Sequence, residues 1–92
     1  MLQDRFRPSP AARASISGDG LVLLDVNGGL VLSSNQIGAR IWQLIEQART
    51  APEIARQLVE DYDVPTDRAD RDVASFVAAL VAHGLVIEDR RP

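Results

Sequence analysis

Ninety-two residues with no cysteine, a single histidine and a formal charge of −3 describe one small domain with little equipment for catalysis. The lack of cysteine excludes a disulfide framework, a zinc–thiolate cluster and a thiol nucleophile. The acidic balance argues against a general nucleic-acid binder.

Met1 to Ala12 carries arginines, Pro8 and Pro10, and reads as a flexible N-terminal segment. It lacks the apolar core of a signal peptide, and no apolar run approaches the ~20 residues of a membrane span, so a cytoplasmic protein is expected. The domain proper is expected over 13–87. Arg13 to Ser17 reads as a first strand that turns at Gly18-Asp19-Gly20. Leu21 to Asp25 and Leu30 to Ser33 are two further strands, joined through Asp25-Val26-Asn27-Gly28-Gly29. Asn-Gly and Gly-Gly accept the positive φ that two-residue hairpin loops require. Short connections place consecutive strands side by side, which leaves the first and third strands at the edges of a three-stranded meander.

Three helices follow. Ser33 or Ser34 is the expected cap of the first, whose inward face is Ile37, Ile41, Leu44, Ile45 and Ala48, with Trp42 beside it as a core anchor. Thr50-Ala51-Pro52-Glu53 is a capping box with proline in the first turn, and it opens the second helix. That helix buries Ile54, Ala55, Leu58, Val59 and Tyr62. After the break at Asp63-Val64-Pro65, Thr66 or Asp67 caps a third helix with Ala69, Val73, Phe76, Val77 and Leu80 inward. It runs to His83 and stops at Gly84. Leu85-Val86-Ile87 is apolar enough to fold back on the core, and 88–92 is expected to be a loose tail.

The third strand is the unusual element. From Val26 to Ala39 there is no formal charge and no proline. Exposed edges are normally blunted by Lys, Pro or a bulge, because an unpaired row of N–H and C=O groups recruits another strand. Arg13 and Pro10 defend the first strand, whereas nothing defends the third. A strand from elsewhere is expected to pair there.

Three strands and three helices suggest an α+β, winged-helix-like domain, which makes DNA binding the first analogy to test. The approach to the third helix carries Glu60, Asp61, Asp63, Asp67, Asp70 and Asp72, with Glu53 one helix earlier, against Arg56, Arg68 and Arg71. Phosphate contacts supply most of the affinity for DNA, and this surface repels them. His83 has no Gly-x-Ser-x-Gly partner sequence, and no Gly-rich loop opens a helix. No catalytic residue, metal site or cofactor is assigned.

Leu23-Leu24-Asp25, Gly28-Gly29, Leu32, Asn35, Gly38-Ala39 and Ile41-Trp42 resemble the spacing of the PqqD-like proteins. Thr50, Glu53-Ile54, Leu58, Tyr62, Asp72-Val73, Phe76, Leu80 and Gly84-Leu85 continue it. These are recognition elements for ribosomally made, modified peptides. The resemblance spans about Ala14 to Ile87 and lies in the ordered combination, since each position alone is a core or turn residue. It implies a non-enzymatic adaptor that takes the leader of a precursor peptide as an extra strand on the third strand, in the groove beside the third helix. Leu30, Val31, Leu32 and Ser33 would supply the edge, and Ala69, Asp72, Val73, Phe76, Ala79 and Leu80 the groove. Asp72 and Asp70 are candidates to meet a basic leader residue, with a plain solvated helix face as the alternative.

Leu-Leu-Asp, Gly-Ala-x-Ile-Trp and Asp-Val-x-x-Phe-Val look most like the stand-alone leader-binding proteins of lasso-peptide clusters. Those work with a leader peptidase of the cysteine-protease type and an ATP-dependent cyclase. This chain departs from them in reading Leu30-Val31-Leu32-Ser33-Ser34-Asn35 where an aromatic and a Leu-Asn pair are common. A peptide chaperone of pyrroloquinoline quinone biosynthesis stays open within the same family. From another class, a winged-helix DNA-binding or self-associating domain, a homodimer through the same strand, is the competing reading.

Overall fold

The computed structural model describes residues 5–89. In chain order the elements are β1 (Arg5–Pro8), β2 (Ala12–Ser17), β3 (Gly20–Asp25), β4 (Val31–Ser34), α1 (Gln36–Glu46), α2 (Ala51–Tyr62), α3 (Thr66–Ala82) and β5 (Val86–Asp89). The expected meander is β2-β3-β4, an antiparallel sheet with β3 in the centre. Period-two alternation along β3 buries Leu21 and Leu23 against the helices and leaves Val22 and Leu24 exposed on the far face. α1 packs on the buried face, α2 packs on α1 and α3 on α2, so the fold is α+β as the sequence predicts.

The β2–β3 turn is tight, with Ser17 paired to Gly20 and only Gly18-Asp19 between them. The β3–β4 connection differs from the expected two-residue loop. Asp25 donates its N–H to the Leu30 carbonyl at 2.9 Å, and Gly29 donates to the Asp25 carbonyl at 2.7 Å. The Asp25 carboxylate also accepts from the Asn27 N–H at 3.0 Å, an Asx turn. Only Gly29, at φ 71°, is left-handed in this loop.

Arg5–Pro8 is a strand where irregular chain was expected, and it pairs antiparallel with β5 from Arg5↔Asp89 to Pro8↔Val86. Phe6 and Val86 are buried by this second, two-stranded sheet. Of the expected loose tail, Glu88 and Asp89 belong to β5. Residues 1–4 of the N-terminal segment and 90–92 of the tail lie outside the described residues.

The core holds Leu21, Leu23, Ile41, Trp42, Leu44, Ile45, Ile54, Leu58, Val73, Leu80 and Leu85, each no more than 2 % exposed. Trp42 is the anchor that the sequence predicts. The capping box forms in full, with Glu53 N–H on the Thr50 hydroxyl at 3.3 Å and Thr50 N–H on the Glu53 carboxylate at 2.8 Å.

Four local expectations are corrected. Asn35 caps α1 in place of Ser33 or Ser34, accepting from the Gly38 N–H at 3.0 Å, because β4 continues through Ser34. Pro65 occupies the N-cap position of α3, and neither Thr66 nor Asp67 caps it, since both already lie inside the helix. Ala48 is exposed at φ 61° beyond the end of α1. Tyr62 is 40 % exposed, because it ends α2 where the helix leaves the core. Gly84, at φ 71°, does stop α3 behind an exposed His83. Among the described residues no helix is long and apolar enough to cross a membrane.

Candidate functional site

The site is built on the free side of β4. Among the described residues no strand pairs with that side, since the sheet order ends at β4. In an antiparallel ladder, residues that exchange hydrogen bonds alternate with residues that do not. The Asp25 N–H bond to the Leu30 carbonyl places these two residues at a hydrogen-bonded position of the ladder, with Gly29 supplying the return bond to the Asp25 carbonyl. The register Leu24↔Val31, Leu23↔Leu32, Val22↔Ser33 and Leu21↔Ser34 then sets the phase. Leu30, Leu32 and Ser34 bond inward to β3. Val31 and Ser33 turn their N–H and C=O groups outward.

The side chains follow the same alternation. Val31, 61 % exposed, and Ser33 lie on the face away from the helices, whereas Leu30 and Leu32 pack on the core. The edge therefore offers free backbone groups next to partly covered apolar side chains. No charge or proline interrupts it.

Beyond Ser34 the edge runs into a cavity of about 390 Å³. One wall is the start of α1, with Asn35, Ile37, Gly38 and Ile41. The other is a single face of α3, namely Arg68, Asp72, Ser75, Phe76 and Ala79. Their spacing of three and four places them in line along the helix. Ile37, Ile41, Phe76 and Ala79 supply its apolar lining, and Ser34, Ser75, Arg68 and Asp72 its hydroxyls and charges. Arg68 Nε lies 3.8 Å from the Asp72 carboxylate, an exposed i,i+4 pair whose charges offset each other.

Several contacts hold this mouth in shape. The Gln36 amide donates to the Gly18 carbonyl and ties the start of α1 to the β2–β3 turn. On the flank, Arg40 Nε meets Asp61 at 2.9 Å and joins α1 to α2. The Asp61 carboxyl lies below its ordinary range, first because the Gln57 amide donates to it at 3.0 Å and then because of Arg40.

The structure separates the predicted α3 residues into two groups. Asp72, Phe76 and Ala79 line the groove. Ala69, Val73 and Leu80 are each no more than 1 % exposed and support the helix from within the core. Leu30, Val31, Leu32 and Ser33 form the edge beside the cavity, which itself begins at Ser34. Ser34, Asn35, Ile37, Gly38, Ile41, Arg68 and Ser75 were not singled out from the sequence as groove residues. For Arg68 and Ser75 the signal was available, since they fall three or four residues from Asp72. For Gly38 and Ser34 it was not, because small residues give no periodic signal.

The family model of coenzyme PQQ synthesis protein D (PqqD) matches residues 20–86, from the start of β3 to the start of β5. The chain belongs to this family. Two solved structures are similar to it over nearly the whole fold. One is a lasso peptide synthetase B1 complexed with the leader peptide, 29 % identical, with a TM-score of 0.80, covering 89 % of this chain and 96 % of that one. The other is TbiB1 in complex with the TbiA(beta) leader peptide, also 29 % identical with a TM-score of 0.80, covering 87 % and 93 %. No curated protein matches. The PqqD family assignment covers the edge strand, the groove and the helices that frame it.

Proposed function

We propose that this chain is a non-catalytic adaptor that binds the leader of a ribosomally made precursor peptide and presents the remainder to maturation enzymes. The observation that carries the reading is the free edge of β4 opening onto the α1/α3 groove, in a chain similar to two leader-bound proteins. An incoming strand bonds to the outward N–H and C=O groups of Val31 and Ser33, and alternate side chains settle toward Phe76 and Ala79. Main-chain bonds supply affinity and the groove supplies selectivity.

Lasso-peptide maturation is the favoured setting, with a leader-cleaving cysteine protease and an ATP-dependent cyclase as the partner enzymes. Holding the leader concentrates the precursor on those enzymes and raises their rate without any turnover by the adaptor itself. A DNA-binding role is disfavoured by the exposed acidic residues Glu60, Asp61, Asp63, Asp67 and Asp70 on the approach to and start of α3.

The test uses fluorescence anisotropy with labelled leader peptides of lasso-type precursors, the TbiA(beta) leader among them, and with a labelled DNA duplex, each at two salt concentrations. Leader binding with little salt dependence is expected. Tight duplex binding with no leader binding would refute the reading. Incubating the precursor with this protein alone should leave its mass unchanged, and loss of the leader would exclude a purely adaptor role.

A further inference from the structure

Ser34, the last residue of β4, sits between two glycines. A Cβ added at Gly20 would overlap the Ser34 carbonyl oxygen and stand 2.9 Å from the Asn35 carbonyl carbon. Gly20 is also at φ 129°, a conformation that side chains rarely adopt. On the other side, a Cβ added at Gly38 would overlap the Ser34 hydroxyl and stand 2.7 Å from Ser34 Cβ. It would also lie 3.3 Å from Phe76 Cε1. The strand end is thus seated in the space that two missing side chains leave, one on β3 and one on α1.

The two seats differ in what they control. Gly20 faces backbone and lies in the sheet, so it serves the fold. Gly38 lies in the groove wall with Ser34, and Phe76 closes in from α3. Three groups therefore meet at one point: the end of the docking strand, the first turn of α1 and the aromatic ring of α3. The offset between the backbone groups of β4 and the floor of the groove is fixed there. A peptide that pairs with Val31 and Ser33 finds its side-chain pocket at a distance set by how deeply Ser34 sits on Gly38.

We propose that Gly38 is a positioning residue for peptide recognition, seating Ser34 and so fixing the register between the β4 edge and the α1/α3 groove. This rests on the reading of that groove as the leader site. The role is opposite in sign to helix propensity. Alanine for glycine inside a helix is ordinarily stabilising, so any loss from Gly38→Ala comes from the displaced seat. Ser34 Cβ is rigidly attached to the strand and has no rotamer that escapes the contact. Removing it, in Ser34→Gly, returns the space to a new Cβ at position 38.

The experiment compares the parent, Gly38→Ala, Ser34→Gly and the double variant Ser34→Gly/Gly38→Ala. Anisotropy is measured with two labelled probes, the TbiA(beta) leader and the leader bound by the other similar lasso peptide synthetase B1. If the parent binds neither, the adaptor reading itself fails. Given binding by the parent, Gly38→Ala is expected to weaken it at least tenfold, and the double variant to return to within about threefold. In Gly38→Ala, the leader residue whose alanine substitution costs the parent most should lose most of that effect, a coupling that general destabilisation does not produce. Should Gly38→Ala fail to fold, Gly38 serves the fold and not the register of the peptide, and the proposal is overturned. Unchanged affinity in Gly38→Ala, or a double variant that folds and stays weak, would overturn the proposal.

Discussion

Val31 turns its N–H to the free side of β4, while Leu32, one residue on, turns its N–H to the Leu23 carbonyl. Proline has no N–H, so the same substitution at these adjacent positions removes two different kinds of bond. Val31→Pro should keep the fold and lose leader binding. Leu32→Pro leaves the Leu23 carbonyl without its donor, a loss of about 1–3 kcal/mol, and should melt well below the parent. Thermal melts and anisotropy on the two proteins check both halves. If Val31→Pro binds as the parent does, β4 is not the docking edge.

Phe76 and Leu80 lie one turn apart on α3 and should respond in opposite ways. Phe76 is half-buried in the groove wall, so Phe76→Ala should weaken leader binding at least tenfold, about 1.4 kcal/mol, with a smaller effect on stability. Leu80 is fully buried, so Leu80→Ala should cost about 2–5 kcal/mol of stability. Urea titrations paired with binding curves separate the two. Equal loss of stability in both variants would mean that Phe76 is a core residue.

Thr50 is the buried cap of α2 and joins the Glu53 amide to its hydroxyl. Thr50→Ala should destabilise the domain by about 1 kcal/mol. In a domain of this size that lowers the unfolding midpoint by roughly 4–8 °C. Circular dichroism melts give the value directly, and no change would show that the capping box is dispensable.

Acid should weaken the fold through Glu53 and Asp61. The Glu53 carboxyl is held below its usual range, first by the Thr50 backbone N–H and then by the Thr50 hydroxyl. Asp61 is held down by Gln57 and Arg40. Carboxyls depressed in the folded state contribute stability above the ordinary carboxylate range near pH 4, and lose it as pH falls through the folded values. Both groups are solvent-exposed, so the effect is modest. Melts at pH 6, 4 and 3 should show a shallower acid decline for Glu53→Gln/Asp61→Asn than for the parent. Parallel declines would assign the acid sensitivity elsewhere.

The meander, its order, the start of α2 and the end of α3 were legible because they rest on local signals: alternation in Leu21–Leu24, the Thr50–Glu53 box, and a left-handed stop at Gly84. The β1–β5 ribbon was not. Each strand has four residues, β1 contains Pro8 and arginines, and the partners lie at opposite ends of the sequence. Choosing Asn35 over Ser33 or Ser34 as the cap needs the end of β4, which pairing with Leu21 decides. In the groove, the family resemblance brought out Asp72, Phe76 and Ala79, whereas periodicity alone placed Phe76 with the core. The function of Gly38 depends on what approaches it, and no single sequence carries that.

The pairing of Arg5 with Asp89 brings the two ends of the described chain to the same point, on a ribbon that contributes no residue to the groove. An element with that geometry is modular. Set into a surface loop of another protein through two short linkers, it would keep the α1/α3 groove uninterrupted. Grafted onto an unrelated enzyme in this way, the domain becomes a handle, and any cargo fused behind a suitable leader becomes that enzyme's substrate.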